Sequence, residues 1–345
     1  MIREISIEEL QNLKDIVLID VRSEGEFSEA TIPGAINLPL LDNFERAEVG
    51  KTYAQISPQS ARQMGLSFIS PKLPALVESA LEFAQSGPLV LFCWRGGMRS
   101  KALASVLDLM GLSLYRLKGG IKAYRTMVLN YFETELSFKV IVISGNTGVG
   151  KTEFLTLLRQ RGYPAIDLEK LANNRGSVFG AMGLGDPPSQ KAFEAMLYEE
   201  LKAFEGFNYI IVECESKRIG RVTLPVSFYQ AMQEGTKILL FDSIANRIQI
   251  LIKEYFAVPN ALIEIDHALE RLNKTLGHQK INELKLLIDH ERFQDFTERL
   301  LIEYYDPLYA YPNQPTNEYR LCLNHENQEL ALIDMENYLA DFTAL

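Results

Sequence analysis

Short, nearly unbroken apolar runs alternate along the chain with longer segments whose apolar positions recur at helical spacing. Asp15–Val21, Leu89–Cys93 and Leu114–Leu117 read as buried strands, and Leu73–Gln85 and Met98–Met110 as helices between them. Runs of this kind suit strands covered on both faces, and the strand–helix–strand rhythm predicts an α/β domain on a parallel sheet. The rhythm restarts at Lys139–Ser144, followed by a helix over Thr152–Arg161 and strands at Tyr209–Cys214 and Lys237–Phe241. From Ile244 the apolar positions Ile248, Leu251, Ile252 and Tyr255 keep helical spacing. The remainder reads as helical, interrupted at Asp306–Pro315, with a last helix over Gln328–Phe342. Residues 121–136 are expected to form a connecting helix. The expected organisation is one domain over 1–128, a connecting segment over 129–137, and a second α/β domain over 138–345 that is mostly helical from about 244.

Charge narrows the partners. The 345 residues carry 35 Lys plus Arg and 45 Asp plus Glu, a formal net charge of −10, which excludes a globally basic nucleic-acid coat protein. A local basic patch stays open, because the field is set patch by patch. Residues 1–127 hold 14 basic and 14 acidic residues, so the whole −10 falls in 128–345. Cys93, Cys214 and Cys322 are far apart with no CxxC pair, which supports neither a disulfide framework nor a Cys-rich metal site. The N-terminus MIREISIEEL is charged where a signal peptide is apolar, and no run approaches the ~18 apolar residues of a membrane span. A cytoplasmic protein with no membrane partner and no resident metal is the expectation.

Two segments carry chemistry. Cys93 is followed by Trp94, Arg95, Gly96, Gly97, Met98, Arg99 and Ser100, between a buried strand and a helix. A thiol there meets loop N–H groups, the positive end of a helix and two guanidinium groups, all favouring the nucleophilic thiolate. The same N–H groups would hold an anion or a second chalcogen on that sulfur. Cys214 and Cys322 lack such surroundings and read as inert. The second segment is Gly145, Asn146, Thr147, Gly148, Val149, Gly150, Lys151 and Thr152, which fits GxxxxGK[ST] between a strand and a helix. Its N–H groups and helix start converge on phosphate oxygens, Lys151 adds a mobile cation, and the Thr152 hydroxyl is placed for a metal ion or an oxygen. Glu213 and Glu215, after the Tyr209–Val212 run, are candidates to hold a cation or polarise a water; solvation alone is the alternative. Asp167 reads as structural.

The first segment and its surroundings resemble rhodanese-type sulfurtransferases. Asp20-Val21-Arg22 with Glu26-Phe27, the run Ile32-Pro33-Gly34-Ala35, and Leu117-Lys118-Gly119-Gly120 with Tyr124 follow in that family's order, although Ala30-Thr31 stands where Gly-His is common. A rhodanese-like α/β domain followed by a P-loop α/β domain with a helical C-terminal extension resembles the tRNA 2-selenouridine synthase family. The likeness continues through Asp167–Gly180, Gln190–Glu194, Val212–Gly220 and Glu303–Tyr309. It implies an enzyme that replaces the sulfur of a wobble 2-thiouridine in tRNA by selenium from selenophosphate, through an S-geranylated intermediate made from geranyl diphosphate. It implies Cys93 as the residue that carries or steers selenium and the P-loop as the diphosphate site. A magnesium requirement stays open.

An acidic protein that binds tRNA needs local cations. Lys217, Arg218 and Arg221 form one cluster, and Arg271, Lys274, Lys280 and Lys285 lie in a stretch whose nearby acid between them is Glu283. These residues and Arg175 are the candidate tRNA or substrate contacts, each with a solvated surface charge as the alternative. Trp94 reads either as a base-stacking ring or as a core aromatic. His267, His278, His290 and His325 have no ligand spacing and read as structural or as incidental tRNA contacts. Two other readings share both motifs: a thiosulfate sulfurtransferase fused to a small-molecule kinase, and a persulfide sensor fused to a nucleotide switch.

Overall fold

A computed structural model of the chain describes residues 1–134 and 136–343. The chain divides into two compact units, residues 1–133 with 194–198, and residues 134–193 with 199–345. In the first unit the strands are β1 (Ile2–Ile5), β2 (Val17–Asp20), β3 (Ile36–Asn37), β4 (Leu89–Phe92) and β5 (Leu114–Leu117). They form one sheet in the order β1-β5-β4-β2-β3 with every pairing parallel. All four residues of β4 are buried, as its unbroken apolar sequence requires. The helices Leu73–Phe83 and Met98–Leu109 seal the sheet through Leu76, Ala80, Leu103 and Leu107. β1 escaped the hydrophobic pattern because IREI is apolar only at its ends; its register against β5 is what makes it a strand. Parallel strands place all carboxyl ends on one edge, so Asp20 after β2 and Cys93 after β4 share it.

The second unit holds β6 (Lys139–Ser144), β7 (Ala165–Ile166), β8 (Tyr209–Glu213), a small antiparallel ribbon of β9 (Arg218–Ile219) and β10 (Val222–Thr223), β11 (Thr236–Phe241) and β12 (Leu321–Asn324). The sheet order is β12-β11-β6-β8-β7, again with every pairing parallel. β6 is central, and the loop after it runs directly into the helix Lys151–Gln160. β12 adds one strand to the mostly helical part from about 244. Four residues carry too little periodicity to announce a strand, and β11 supplies the template, Leu321 opposite Ile238 through Asn324 opposite Phe241. The helices Ile244–Tyr255, Ala261–Leu276, His278–Asp289 and Phe293–Leu300 build a separate core around Leu251, Ile265, Leu269, Phe296 and Leu301. The expected connecting helix is present as Gly120–Glu133; residue 135, in the expected linker, and residues 344–345 lie outside the described residues. Among the described residues no helix is long and apolar enough to cross a membrane.

Candidate active sites

In the first unit Cys93 is buried, and its Sγ accepts a hydrogen bond from the Gly97 amide at 3.2 Å and lies 3.3 Å from Ser100 Oγ. The loop closes over the strand ends because Gly96 has φ +64°. A Cβ there would stand 2.6 Å from the Leu117 carbonyl oxygen, so only glycine fits. Arg99 does not present a free charge to the sulfur. Its guanidinium pairs with both oxygens of Glu26, the Nη2–Oε1 distance being 3.1 Å, and Arg46 lies 3.6 Å from the same carboxylate. Burial opposes both charges, but pairing outweighs it, holding Glu26 below the usual carboxylate range and Arg99 above its own. Arg95 is therefore the exposed cation of the loop, beside an exposed Met98 and a Trp94 that is 41 % exposed and so not a core aromatic. The departure at Ala30-Thr31 is absorbed locally. Thr31 Oγ1 donates to Asp20 Oδ2 at 2.9 Å, Arg22 Nη2 donates to the same oxygen at 2.6 Å, and Arg22 also reaches the Ala30 carbonyl at 2.6 Å.

In the second unit the phosphate loop has the required backbone. Gly150 caps the helix Lys151–Gln160 at φ +82°, and the edge of His325 packs so closely that a Cβ on Gly150 would lie 2.5 Å from its Cε1. His325 is buried and packs edge-on to Phe154, a structural role, as read. Lys151 Nζ folds back on the loop, 2.8 Å from the Gly145 carbonyl oxygen. Two buried side chains anchor the loop to the rest of the unit: Asn146 of the loop itself, and Arg247, which local spacing gave no reason to single out. Arg247 Nε donates to the Thr147 carbonyl at 2.9 Å, and its Nη1 reaches Asp306 Oδ2 at 3.0 Å. Asn146 Nδ2 donates to the Tyr311 carbonyl at 2.9 Å and to Asn313 Oδ1 at 2.8 Å. The one available hint was that Asp306 lies in the EYYDPLY stretch.

Facing the loop is a set of carboxyl groups. Glu213 is buried at the end of β8, accepts from the Glu169 amide at 2.8 Å, and its Oε2 has no hydrogen-bond partner among the described residues. Thr152 Oγ1 donates to Glu169 Oε2 at 3.4 Å. Burial, then the charge of Glu215, pushes Glu169 up to about 8. Burial also raises Glu215, and it raises Glu213 far more, with Asp167 and Glu169 adding to it. Glu169 was not anticipated, since it starts a helix that only the fold brings to the loop. Asp167 caps that helix on the Lys170 amide at 2.7 Å. Arg175 lines the same cleft, its Nε 2.6 Å from Glu254 and its guanidinium 5.6 Å from the Tyr255 ring.

The cleft over the loop measures about 960 Å³ and is bordered by Lys151, Glu169, Arg175, Glu215, Tyr309 and Tyr311 among others. A narrow pocket of about 30 Å³ shares Thr147, Leu251 and Tyr255 with it and is otherwise walled by Phe179, Phe256, Ile265, Phe296 and neighbouring apolar side chains.

The basic candidates separate. Lys217, Arg218 and Arg221 are exposed on the β9–β10 ribbon and none has a carboxylate partner among the described residues. Lys280 pairs with Glu303 at 2.9 Å and Lys285 with Asp266 at 2.6 Å, acids that only the fold brings close. Glu283 is held by Arg299. Arg271 reaches the Val178 carbonyl at 3.4 Å, and Lys274 stands in the last turn of its helix without an ion pair among the described residues.

The family described as "tRNA 2-selenouridine synthase AAA domain" matches residues 138–338, and the family "Rhodanese-like domain" matches residues 6–127. The tRNA 2-selenouridine synthase of Pseudomonas syringae pv. syringae (strain B728a) is 35 % identical over 335 residues, covering 88 % of this chain and 90 % of that protein. The tRNA 2-selenouridine synthase of Sulfurovum sp. (strain NBC37-1) is 33 % identical over 348 residues, covering 92 % and 94 %.

Proposed function

The chain belongs to the tRNA 2-selenouridine synthase family, and from that premise we propose that it converts the 2-thiouridine at the wobble position of tRNA to 2-selenouridine with selenophosphate, through an S-geranylated intermediate made from geranyl diphosphate. The observation that carries this reading is an apolar pocket opening beside a phosphate loop, both of them bordered by Thr147. A nucleotide has no apolar tail to place there; an allylic diphosphate has one.

In the first half-reaction the thiouridine sulfur attacks the allylic carbon. The C–O bond breaks and diphosphate departs with the electron pair. Lys151, the loop N–H groups and Arg175 stabilise that departing charge, which forms only as the bond breaks. A magnesium ion accompanying the diphosphate would be held by Thr152, Glu169 and Glu215. In the second half-reaction alkylation has made C2 electrophilic: the selenium of selenophosphate adds there, the C–S bond breaks and geranyl thiol leaves with a proton, and water cleaves the Se–P bond to release phosphate and 2-selenouridine. Cys93 steers the selenium without a covalent S–Se bond, with the Gly97 amide and Ser100 hydroxyl completing the anion-holding loop at its sulfur. The ribbon cations Lys217, Arg218 and Arg221 take tRNA phosphates.

The test is mass analysis of nucleosides from 2-thiouridine tRNA treated with the purified chain and geranyl diphosphate, then with selenophosphate. The reading expects the geranylated nucleoside first and selenouridine second. Unmodified tRNA together with nucleotide hydrolysis would replace it with the kinase reading.

A further inference from the structure

We infer that the exposed ring of Tyr309 is the platform on which the target nucleobase stacks inside the P-loop cleft. This rests on the reading of the chain as a tRNA-modifying enzyme and adds to it where the base lies.

The cleft, at about 960 Å³, stands at the upper end of small-ligand pockets, more than a diphosphate head fills. Tyr309 and Tyr311 line it. Tyr309 lies at 2° and 6.3 Å from Tyr305, which lines the apolar pocket, and at 15° and 6.4 Å from Tyr311. At those separations parallel rings are displaced sideways rather than face to face. Tyr305 is buried; Tyr309 is 40 % exposed.

The platform is fixed to the phosphate loop by two buried ties. Arg247 joins the Thr147 carbonyl to Asp306, at the start of the turn that carries Tyr309. Asn146 joins the loop to the Tyr311 carbonyl. Between the two ties Ala310 takes φ +52°, a left-handed conformation that a side chain adopts only under constraint. A ring held this way keeps its distance from the phosphate loop.

The surroundings suit a base from a single strand. Glu169 and Glu215 line the same cleft as Tyr309 and supply carboxyl oxygens to it. A uracil-type ring offers an N–H there. Ser216 borders the cleft, and the ribbon with the exposed Lys217, Arg218 and Arg221 follows it in the chain. Aromatic faces flanked by backbone-binding cations are how unstacked bases of RNA are held.

The experiment compares the full-length chain with Tyr309→Phe and Tyr309→Ala. Affinity is measured for a fluorescently labelled anticodon stem–loop carrying 2-thiouridine, and separately for geranyl diphosphate. Stacking one base on a ring is worth ~5- to 150-fold in affinity. Tyr309→Ala is therefore expected to weaken RNA binding by ~10-fold or more and to leave geranyl diphosphate affinity within ~2-fold, while Tyr309→Phe keeps both. Unchanged RNA affinity in Tyr309→Ala overturns the inference. So does a loss confined to geranyl diphosphate, which would give the ring to the apolar tail, or a Phe variant as weak as Ala. If the unaltered chain binds the stem–loop but forms neither product, the proposed chemistry fails while the ring assignment is still decided by the affinity ratio.

Discussion

The two sites are built on opposite plans. Around Cys93 nearly everything that touches the sulfur comes from one run of eight residues, Cys93 to Ser100, and its main neighbouring charge, Arg99, is already matched by Glu26. The phosphate loop is drawn together from distant segments: Arg247 and Asp306 brace it, Asn146 ties it to Tyr311, and Glu169, Glu213 and Glu215 face it with raised pKa values. A locally closed, charge-balanced loop suits a step in which one atom is held and passed on. An open cleft with carboxyls whose pKa values are raised by burial and a folded-back lysine suits a step that must admit several groups and meet negative charge as it forms.

The contrast can be broken most severely at Lys151. Lys151→Ala removes the mobile cation from the diphosphate and is expected to lower geranyl transfer ~100-fold or more; near-normal transfer by the purified variant would mean the leaving group is stabilised elsewhere. Next comes the brace. Arg247→Leu strands Asp306 and frees the Thr147 carbonyl, and breaking a buried ion pair costs about 3–5 kcal/mol. Because Asp306 keeps some solvent contact the lower figure is expected. Denaturant melts should show the loss.

The carboxyls give a pH signature. Glu169 has its folded pKa raised to about 8, so between the ordinary carboxylate range and pH 8 the unfolded chain has lost a proton that the folded chain keeps. Stability must then fall as pH rises through that window, by up to about 1.4 kcal/mol per pH unit for one carboxyl. Glu169→Gln should flatten the decline and melt higher than the unaltered chain at pH 8; an unchanged pH profile would show Glu169 ionised in the native state. The smallest effect concerns salt. Replacing Lys217, Arg218 and Arg221 by Ala should reduce the slope of log affinity for tRNA against log salt by up to ~2–3 units. Replacing Lys280 and Lys285, whose charges already have partners, should change it by less than ~1 unit. Equal changes would move the tRNA to the 271–285 surface.

Legibility in the sequence follows the same division. The β4–loop–helix around Cys93 and the β6–loop–helix around Lys151 were readable because each is continuous and each needs glycine or an apolar run where it stands. Glu169, Arg247 and Asn313 were not, because their chemistry depends on which strands lie side by side. β12 was hidden for the same reason. The Lys280 and Lys285 charges looked unopposed along the chain because Glu303 and Asp266 approach only when the helices pack. Trp94 could be a ring in the core or at the surface until the loop placed it outside.

The central claim is that the two sites serve separate half-reactions, and Cys93→Ala tests it most directly. Geranyl transfer requires the tRNA sulfur, the allylic diphosphate and the phosphate loop, and no protein thiolate. Selenium entry requires the Cys93 loop. Nucleosides from 2-thiouridine tRNA treated with Cys93→Ala, geranyl diphosphate and selenophosphate should contain the geranylated species in accumulated form and no selenouridine. Cys93→Ser should behave the same way, since a serine hydroxyl stays protonated near neutral pH. Selenouridine formed at the unaltered rate would remove Cys93 from the mechanism. Loss of both products with tRNA binding intact would contradict the division of labour between the two sites.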